Sequence, residues 1–118
     1  DGAHAVHPNY TNKSDITNDV ILGKGITVKT SASQRYLSDS EATAVVMQLC
    51  KKTDIPYQVQ VNRSGMPGGQ TLGPIVVSYL PMQGADIGIP MLAMHSAREL
   101  ADMRDYQALV MFLKIFSA

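Results

Sequence analysis

The chain has 118 residues, and its ten Lys and Arg are balanced by ten Asp and Glu, so the formal net charge is zero at pH 7. A chain of this length is one domain, and without a basic surface it lacks the usual features of nucleic-acid and anionic-membrane binding. No apolar run reaches the roughly 18 residues that span a bilayer. The single Cys50 cannot form an internal disulfide, which indicates a reducing compartment, and we expect a soluble cytoplasmic protein.

The N-terminal half is predicted to contain a loop, a strand and a helix. The first two dozen residues are rich in Asn, Asp, Thr and Gly and are typical of a loop. Alternating β-branched residues predict a half-buried strand over 26–30. Ser38 and Glu41 form a capping-box pattern that starts a helix. Apolar residues then repeat at helical spacing: Ala42, Val45, Val46, Leu49 and Cys50.

The C-terminal half continues the alternation of strands and helices. Strands are predicted over 57–61 and 85–89, with a short helix between them that begins at Gln70 or Thr71. A last helix carries one apolar stripe, formed by Tyr106, Leu109, Val110, Leu113 and Phe116. This order of elements predicts an α/β sheet with helices on its faces.

The three histidines are candidate metal ligands. His4 and His7 lie three residues apart, so on a helical turn both could face one metal ion together with Asp1. Surface or loop histidines are the alternative interpretation of this pair. His95 follows an apolar, strand-like run, at the end of a strand where α/β sheets place their ligands. Its alternative is a structural histidine at the start of a helix that contains Glu99.

Two further features suggest anion binding. Lys29 ends a predicted strand and could receive a carboxylate, or it could simply protect an edge strand. Glycine-rich residues 65–71 resemble a backbone nest before a helix, but they lack the spacing of a P-loop. The only glutamates are Glu41 and Glu99, so no glutamate pair is available to supply a general base and a bridging ligand.

Four segments carry a family resemblance across nearly the whole chain. They are D-x-A-H-A-x-H-P-N at 1–9, K-x-x-x-x-Q-R-Y at 29–36, G-x-T-x-G-P-I at 69–75 and D-I-G-x-P-x-L-A-M-H-S-x-R-E at 86–99. In order and spacing they closely resemble the aspartyl aminopeptidase / aminopeptidase I family of zinc exopeptidases. The resemblance implies a partial three-layer αβα catalytic domain with a mixed sheet. Residues 1–118 would form its C-terminal portion, and the start at Asp1 leads us to expect that an upstream part is missing.

The resemblance also implies roles for individual residues. Asp1 corresponds to a carboxylate ligand of one zinc ion and His95 to an imidazole ligand of the other. A complete site would hold two zinc ions, for which cobalt or manganese could substitute. Substrate-facing positions would be His4, His7, Lys29, Tyr36 and Gly69, of which Tyr36 would act catalytically on the developing oxyanion. Gly65 departs from the family, which usually has an acidic residue there.

The function expected from the resemblance is that of a di-zinc aminopeptidase fragment, inactive alone, whose parent removes N-terminal residues from peptides. Acidic N-terminal residues are one candidate preference, with Lys29 as their partner. The expected partners are a peptide substrate, the missing N-terminal part and further copies in a homo-oligomer, but neither nucleic acid nor membrane. The alternatives are a non-catalytic oligomer-building module of the same fold and a carboxylate-binding domain that uses Lys29 and the glycine-rich loop.

Overall fold

A computed structural model describes residues 1–70 and 72–118 as six short strands and three α-helices. The strands are β1 (Ala3–His4), β2 (Ile26–Thr30), β3 (Tyr57–Val61), β4 (Asp86–Gly88), β5 (Pro90–Leu92) and β6 (Leu100–Ala101). The helices are α1 (Ser40–Lys52), α2 (Leu72–Tyr79) and α3 (Met103–Phe116), and one 3-10 turn covers Thr11–Lys13. Within these residues, no helix has the length and hydropathy needed to cross a membrane.

The strands form two small mixed sheets. In the central sheet, of order β3-β2-β4, strand β2 is parallel to β3 and antiparallel to β4. In the second sheet, of order β1-β5-β6, strand β5 is parallel to β1 and antiparallel to β6. The predicted α/β class with a mixed sheet is therefore confirmed.

The central sheet has one apolar and one polar face. Side chains alternate along β2, so Ile26 and Val28 share the face that packs against two helices. The buried partners on that face are Val46 and Cys50 of α1 and Ala108 and Phe112 of α3. Burying each such large apolar side chain contributes about 1.5–3 kcal/mol. The opposite face carries Thr27 and Lys29, which are also buried.

Helix α2 lies near this polar face. A side-chain carbon added at Gly73 would come within 3.2 Å of the Asp86 carboxylate. Asp86 is paired in register with Lys29, so the two residues share the polar face. Helices α1 and α3 therefore pack on one face of the sheet, and the start of α2 lies beside Asp86 on the other.

Helix α1 begins one residue later than the capping-box pattern predicts. Its N-cap is Asp39, whose carboxylate accepts a 2.7 Å hydrogen bond from the backbone of Ala42. The Ser38 hydroxyl instead accepts a 2.8 Å bond from the backbone of Asp86. The predicted N-cap was wrong because the Ser38 hydroxyl is hydrogen-bonded to the backbone of Asp86 in β4, 48 positions later in the chain.

Helix α3 is also rotated relative to its predicted stripe. The buried residues are Asp105, Ala108 and Phe112, whereas Tyr106 and Phe116 are more than half exposed. The cause is the Asp105 carboxylate, which accepts 2.7 Å hydrogen bonds from the backbones of Gly23 and Gly25. An acidic side chain thereby occupies a buried helical position that hydropathy assigns to the surface.

The shortest strands were not predicted. The expected strand over 85–89 is reduced to β4, because the chain turns into β5 at Pro90. Two- or three-residue strands are too short to show a period, so β1, β5 and β6 left no pattern in the sequence. Thr71, one of the two residues expected to begin the second helix, lies outside the described residues.

Candidate functional site

A row of three polar side chains crosses the central sheet. Lys29 of β2 is paired in register with Gln60 of β3 and with Asp86 of β4, so all three lie on the polar face. Lys29 is only 3% exposed and Gln60 only 6%. Burial lowers the pKa of Lys29, and the negative charge of Asp86 opposes this shift. The row therefore holds a buried amine whose charged form depends on neighbouring carboxylates.

The second carboxylate beside this amine is Asp1. Its Oδ2 lies 2.6 Å from the Lys29 Nζ, and its backbone nitrogen donates a 3.1 Å hydrogen bond to the carbonyl of Ile87. This approach requires glycine at position 88, where any side-chain carbon would collide with the Asp1 carbonyl. Asp1 and Lys29, which the sequence named separately, are thus brought together in one ion pair.

Tyr36 connects this pair to a second polar group. The Lys29 Nζ lies 5.4 Å from the centre of the Tyr36 ring, within the range of a cation–π contact. The Tyr36 hydroxyl donates a 3.2 Å hydrogen bond to Asn62 Oδ1. The same oxygen accepts a 3.3 Å bond from Gln60 Nε2. The structure therefore adds Gln60 and Asn62 to the residues that the sequence pointed to.

A cavity of about 320 Å³ opens beside these residues. Four of the predicted substrate-facing residues line it, together with the two additional amides: His4, His7, Tyr36, Gly69, Gln60 and Asn62. A side-chain carbon added at Gly69 would have no atom within 4 Å, so this part of the wall is open. A cavity of this size suits one or two amino-acid residues of a peptide.

His4 and His7 occupy different parts of this wall. His4 belongs to β1, where burial, and then the positive charges of Lys29 and His95, lower its pKa and favour the neutral imidazole. His7 Nδ1 accepts a 3.1 Å hydrogen bond from the backbone of Asn9. Because His4 lies in a strand, the two histidines do not share a helical turn.

His95 lies in a turn beyond β5. Its backbone has φ +68°, and its N–H donates a 2.6 Å hydrogen bond to Glu99. The alternative of a helix start here does not hold, because β6 follows and α3 begins only at Met103. The exposed imidazole has no hydrogen-bond partner among residues 1–70 and 72–118, and its charge affects His4.

The donor atoms of Asp1 and His95 suit zinc, although they do not complete a site. Zinc binds carboxylate oxygen and imidazole nitrogen, usually with three protein ligands in catalytic sites. Lys29 occupies Oδ2 of Asp1, while Oδ1 has no hydrogen-bond partner in the described part of the chain. Across that same part, no group of three or more His, Cys, Asp or Glu side chains could hold a metal ion. The two residues can therefore supply only part of a ligand set.

Comparison with known proteins identifies the family. The family model of the aminopeptidase I zinc metalloproteases (M18) matches residues 1–117. The chain belongs to this M18 family. The resemblance seen in the sequence motifs is thus confirmed, and the parent family is one of zinc metalloproteases.

Individual M18 relatives agree with this identification. A probable M18 family aminopeptidase 2 of Clostridium novyi is 51% identical over 106 residues, which cover 90% of this chain and 24% of the relative. The solved structure of the Ape4 and Nbr1 complex matches with a TM-score of 0.92 and 38% identity, over 98% of this chain and 22% of that one. Aminopeptidase I from Clostridium acetobutylicum matches with a TM-score of 0.78 and 26% identity, over 92% and 25%. The chain spans about a quarter of the length of the M18 relatives it matches.

Sequence reasoning missed two amides of this candidate site. Gln60 and Asn62 lie on β3 and at its end, and they face the cavity beside Tyr36. Gln60 gave only a weak signal, because it is one of the two polar residues that alternate along β3 and its pairing with Lys29 depends on the strand register. Asn62 gave no such signal, since asparagine after a strand is ordinary in turns.

Proposed function

We propose that this chain forms part of the active site of an aminopeptidase that removes N-terminal residues from peptides. The observation that carries the proposal is the Asp1–Lys29 pair, which lies beside Tyr36, a residue of the cavity wall. A metal-ligand candidate, a buried cation and a phenol are the groups needed to hold a peptide end and stabilise charge on its first carbonyl. Family membership supports the same reaction class.

Metal binding in the proposed enzyme uses Asp1 and His95, each on one of two zinc ions, with cobalt or manganese as possible substitutes. The remaining ligands come from the part of the protein that lies outside this chain. Bound zinc would polarise the peptide carbonyl and lower the pKa of a water molecule to about 7. The Lys29 ammonium holds Oδ2 of Asp1 and leaves Oδ1 for the metal.

The other residues handle the peptide. The Tyr36 hydroxyl donates to the oxygen on which negative charge develops. Lys29 uses one N–H on Asp1, so its remaining donors can attract an acidic N-terminal side chain. His4, favoured in its neutral form, offers a hydrogen-bond donor and an acceptor within the cavity. His7 and Gly69 form parts of the cavity wall.

A second candidate function is an oligomer-building module without catalysis. Its support is the apolar surface of α2 and of the residues after it, where Leu72 is 75% exposed and Tyr79 81% exposed. Exposed apolar area of this kind is typical of surfaces that contact another chain or another part of the same protein. In the enzyme, we propose that this surface is covered by the rest of the protein or by further copies in a cytoplasmic homo-oligomer.

The test uses a chimera in which this chain replaces the matching quarter of the Clostridium novyi relative. Release of N-terminal Asp, Glu, Ala and Leu from peptides is measured for the chimera, for the relative and for the 118-residue chain alone, each with added zinc. We expect hydrolysis by the chimera and none by the isolated chain, because the described part of that chain lacks complete metal ligand sets.

Variants identify the residues responsible. In the chimera, Asp1→Asn and His95→Ala should each lower kcat/KM by more than the roughly 10–100-fold that is typical for loss of a residue supporting a metal ligand. Asp19→Asn, an exposed change, is the matched control. An assembled chimera that cleaves no peptide while the relative does would contradict the aminopeptidase proposal and favour the module. Full activity in the Asp1 and His95 variants would contradict the site.

A further inference from the structure

Three side chains on the cavity wall form a continuous hydrogen-bonded series. Gln60 Nε2 donates to Asn62 Oδ1 over 3.3 Å, and the Tyr36 hydroxyl donates to the same oxygen over 3.2 Å. All three residues line the cavity. The series thus extends from a buried strand to a phenol at the proposed reaction site.

The orientation of the Asn62 amide follows from these contacts. A carbonyl oxygen has two lone pairs, and here both are used by Tyr36 and Gln60. The amide nitrogen consequently points the other way, toward Gly68, where any side-chain carbon would collide with Nδ2 and lie 3.3 Å from the Tyr36 hydroxyl. A side chain at position 68 would displace the Asn62 amide. Turning the amide over would place its NH₂ against the Gln60 donor, so the observed orientation is favoured.

Gln60 maintains this arrangement at a cost. Its Oε1 is buried and has no hydrogen-bond partner among the described residues. An unpaired buried acceptor destabilises a fold by about 1–3 kcal/mol. A glutamine that served only for packing could be replaced by an apolar residue without that cost. Its Nε2, however, donates to Asn62, and this bond explains why a glutamine with an unpaired oxygen occupies the position.

We propose that Asn62, held by Gln60, is a positioning residue for Tyr36. Without ligand, the phenol proton is held by Asn62 and the hydroxyl oxygen faces the cavity at a defined place. The 3.2 Å bond is longer than the usual 2.7–2.8 Å for a hydroxyl donor, so it is readily exchanged for a stronger, charged acceptor. When negative charge develops on a bound peptide, the O–H turns from Asn62 to that oxygen. This inference rests on the proposed aminopeptidase function.

The first test examines the 118-residue chain itself and needs no activity. The five tyrosines are replaced by 3-fluorotyrosine, and Tyr36→Phe assigns the ¹⁹F resonance of Tyr36. Asn62→Leu should shift that resonance and leave the other four in place, whereas Asn62→Asp should keep it close to its original position because a carboxylate oxygen still accepts from Tyr36. Gln48→Leu, an exposed change on α1, is the control. An unmoved Tyr36 signal in Asn62→Leu overturns the proposal.

The second test measures kinetics in the chimera. Asn62→Leu should lower kcat by about 10-fold or more while KM changes by less than about twofold. The reason is that Tyr36, the donor to the transition state, loses its fixed position, while the contacts that bind the substrate remain. Asn62→Thr, which keeps a neutral acceptor oxygen, should retain more of kcat than Asn62→Leu, whereas the charged acceptor of Asn62→Asp holds the phenol proton more tightly and should leave kcat low. A change in KM alone, or equal losses in Asn62→Thr and Asn62→Leu, overturns the positioning role.

The Gln60→Met variant tests the same inference without changing Asn62. If Asn62→Leu unfolds, Gln60→Met removes the donor that holds Asn62 while filling the same space, and it should shift the Tyr36 resonance and lower kcat in the same direction. Unchanged values in a folded Gln60→Met would then contradict the inference. An inactive chimera would contradict the proposed function alone, because the ¹⁹F measurement still decides whether Asn62 holds Tyr36.

Discussion

The side chain of Asp105, in the first turn of α3, accepts a 2.7 Å hydrogen bond from the backbone N–H of Gly25, eighty positions earlier in the chain. Its other oxygen accepts an equally short bond from Gly23. Gly25 has φ +103°, and a side-chain carbon there would collide with the carbonyl of Pro56. One buried carboxylate therefore fixes both the loop that leads into β2 and the rotation of α3.

Asp105→Asn should destabilise the chain. The amide keeps one acceptor but turns its NH₂ toward a backbone N–H, which loses one hydrogen bond and leaves a buried donor unpaired. We expect a loss of about 2 kcal/mol and a fall in Tm of roughly 8 °C, measured by thermal unfolding. Asp19→Asn on the exposed loop is the control and should stay near the original Tm. Equal Tm values for the two variants would show that the carboxylate is not the structural link.

Lys29→Met should separate stability from function. The free energy of unfolding should change by less than about 1 kcal/mol, because removing the buried ammonium relieves its desolvation cost, and the two carboxylates left behind, Asp1 and Asp86, are only partly buried and can be solvated. In the chimera, cleavage of peptides with N-terminal Asp or Glu should fall at least about tenfold. Urea unfolding and peptide kinetics provide the measurements, with Lys24→Met as an exposed control. A large loss of stability would assign Lys29 a mainly structural role.

Acid should weaken the fold through Asp15. Hydrogen bonds from the side chains of Thr17 and Asn18, and from their backbones, lower the pKa of Asp15 from 3.8 to about 2. A lowered carboxylate pKa adds stability that is fully present above the unfolded value and is lost as pH falls through the folded one. The urea midpoint should therefore drop between about pH 4 and pH 2 less steeply in Asp15→Asn than in the original chain. Identical slopes would exclude this contribution.

Cys50 should be unreactive in the folded chain. Burial raises the pKa of its thiol, and the residue is completely enclosed in the core beneath β2. Only the thiolate reacts with disulfide reagents, so labelling should require unfolding. We expect no reaction with a disulfide reagent in native buffer and stoichiometric reaction in urea. Rapid labelling under native conditions would mean that α1 opens away from the sheet.

Local patterns predicted the elements whose period is long enough to be seen. Strands β2 and β3 match their predicted bounds, since alternation over five residues is a clear signal. Helices α1 and α3 were expected from apolar spacing, yet the buried side of α3 was wrong because hydropathy treats Asp105 as a surface residue. Asp1, Lys29 and Tyr36 were named from motifs, but their contacts were not.

The sequence alone determined the family and the main elements of this protein, because motifs and periodicity are local and need no partner. The tertiary structure decided which residues meet. The Asp1–Lys29 pair joins positions 28 apart, and the Tyr36–Asn62 bond joins positions 26 apart. Such contacts depend on strand register and on close approaches such as that at Gly88, where the sheet and the N-terminal segment touch. The strand register and the close approach of Asp1 to Gly88 arise only when the strands pair. The polar face and its cavity could therefore not be deduced from residue order.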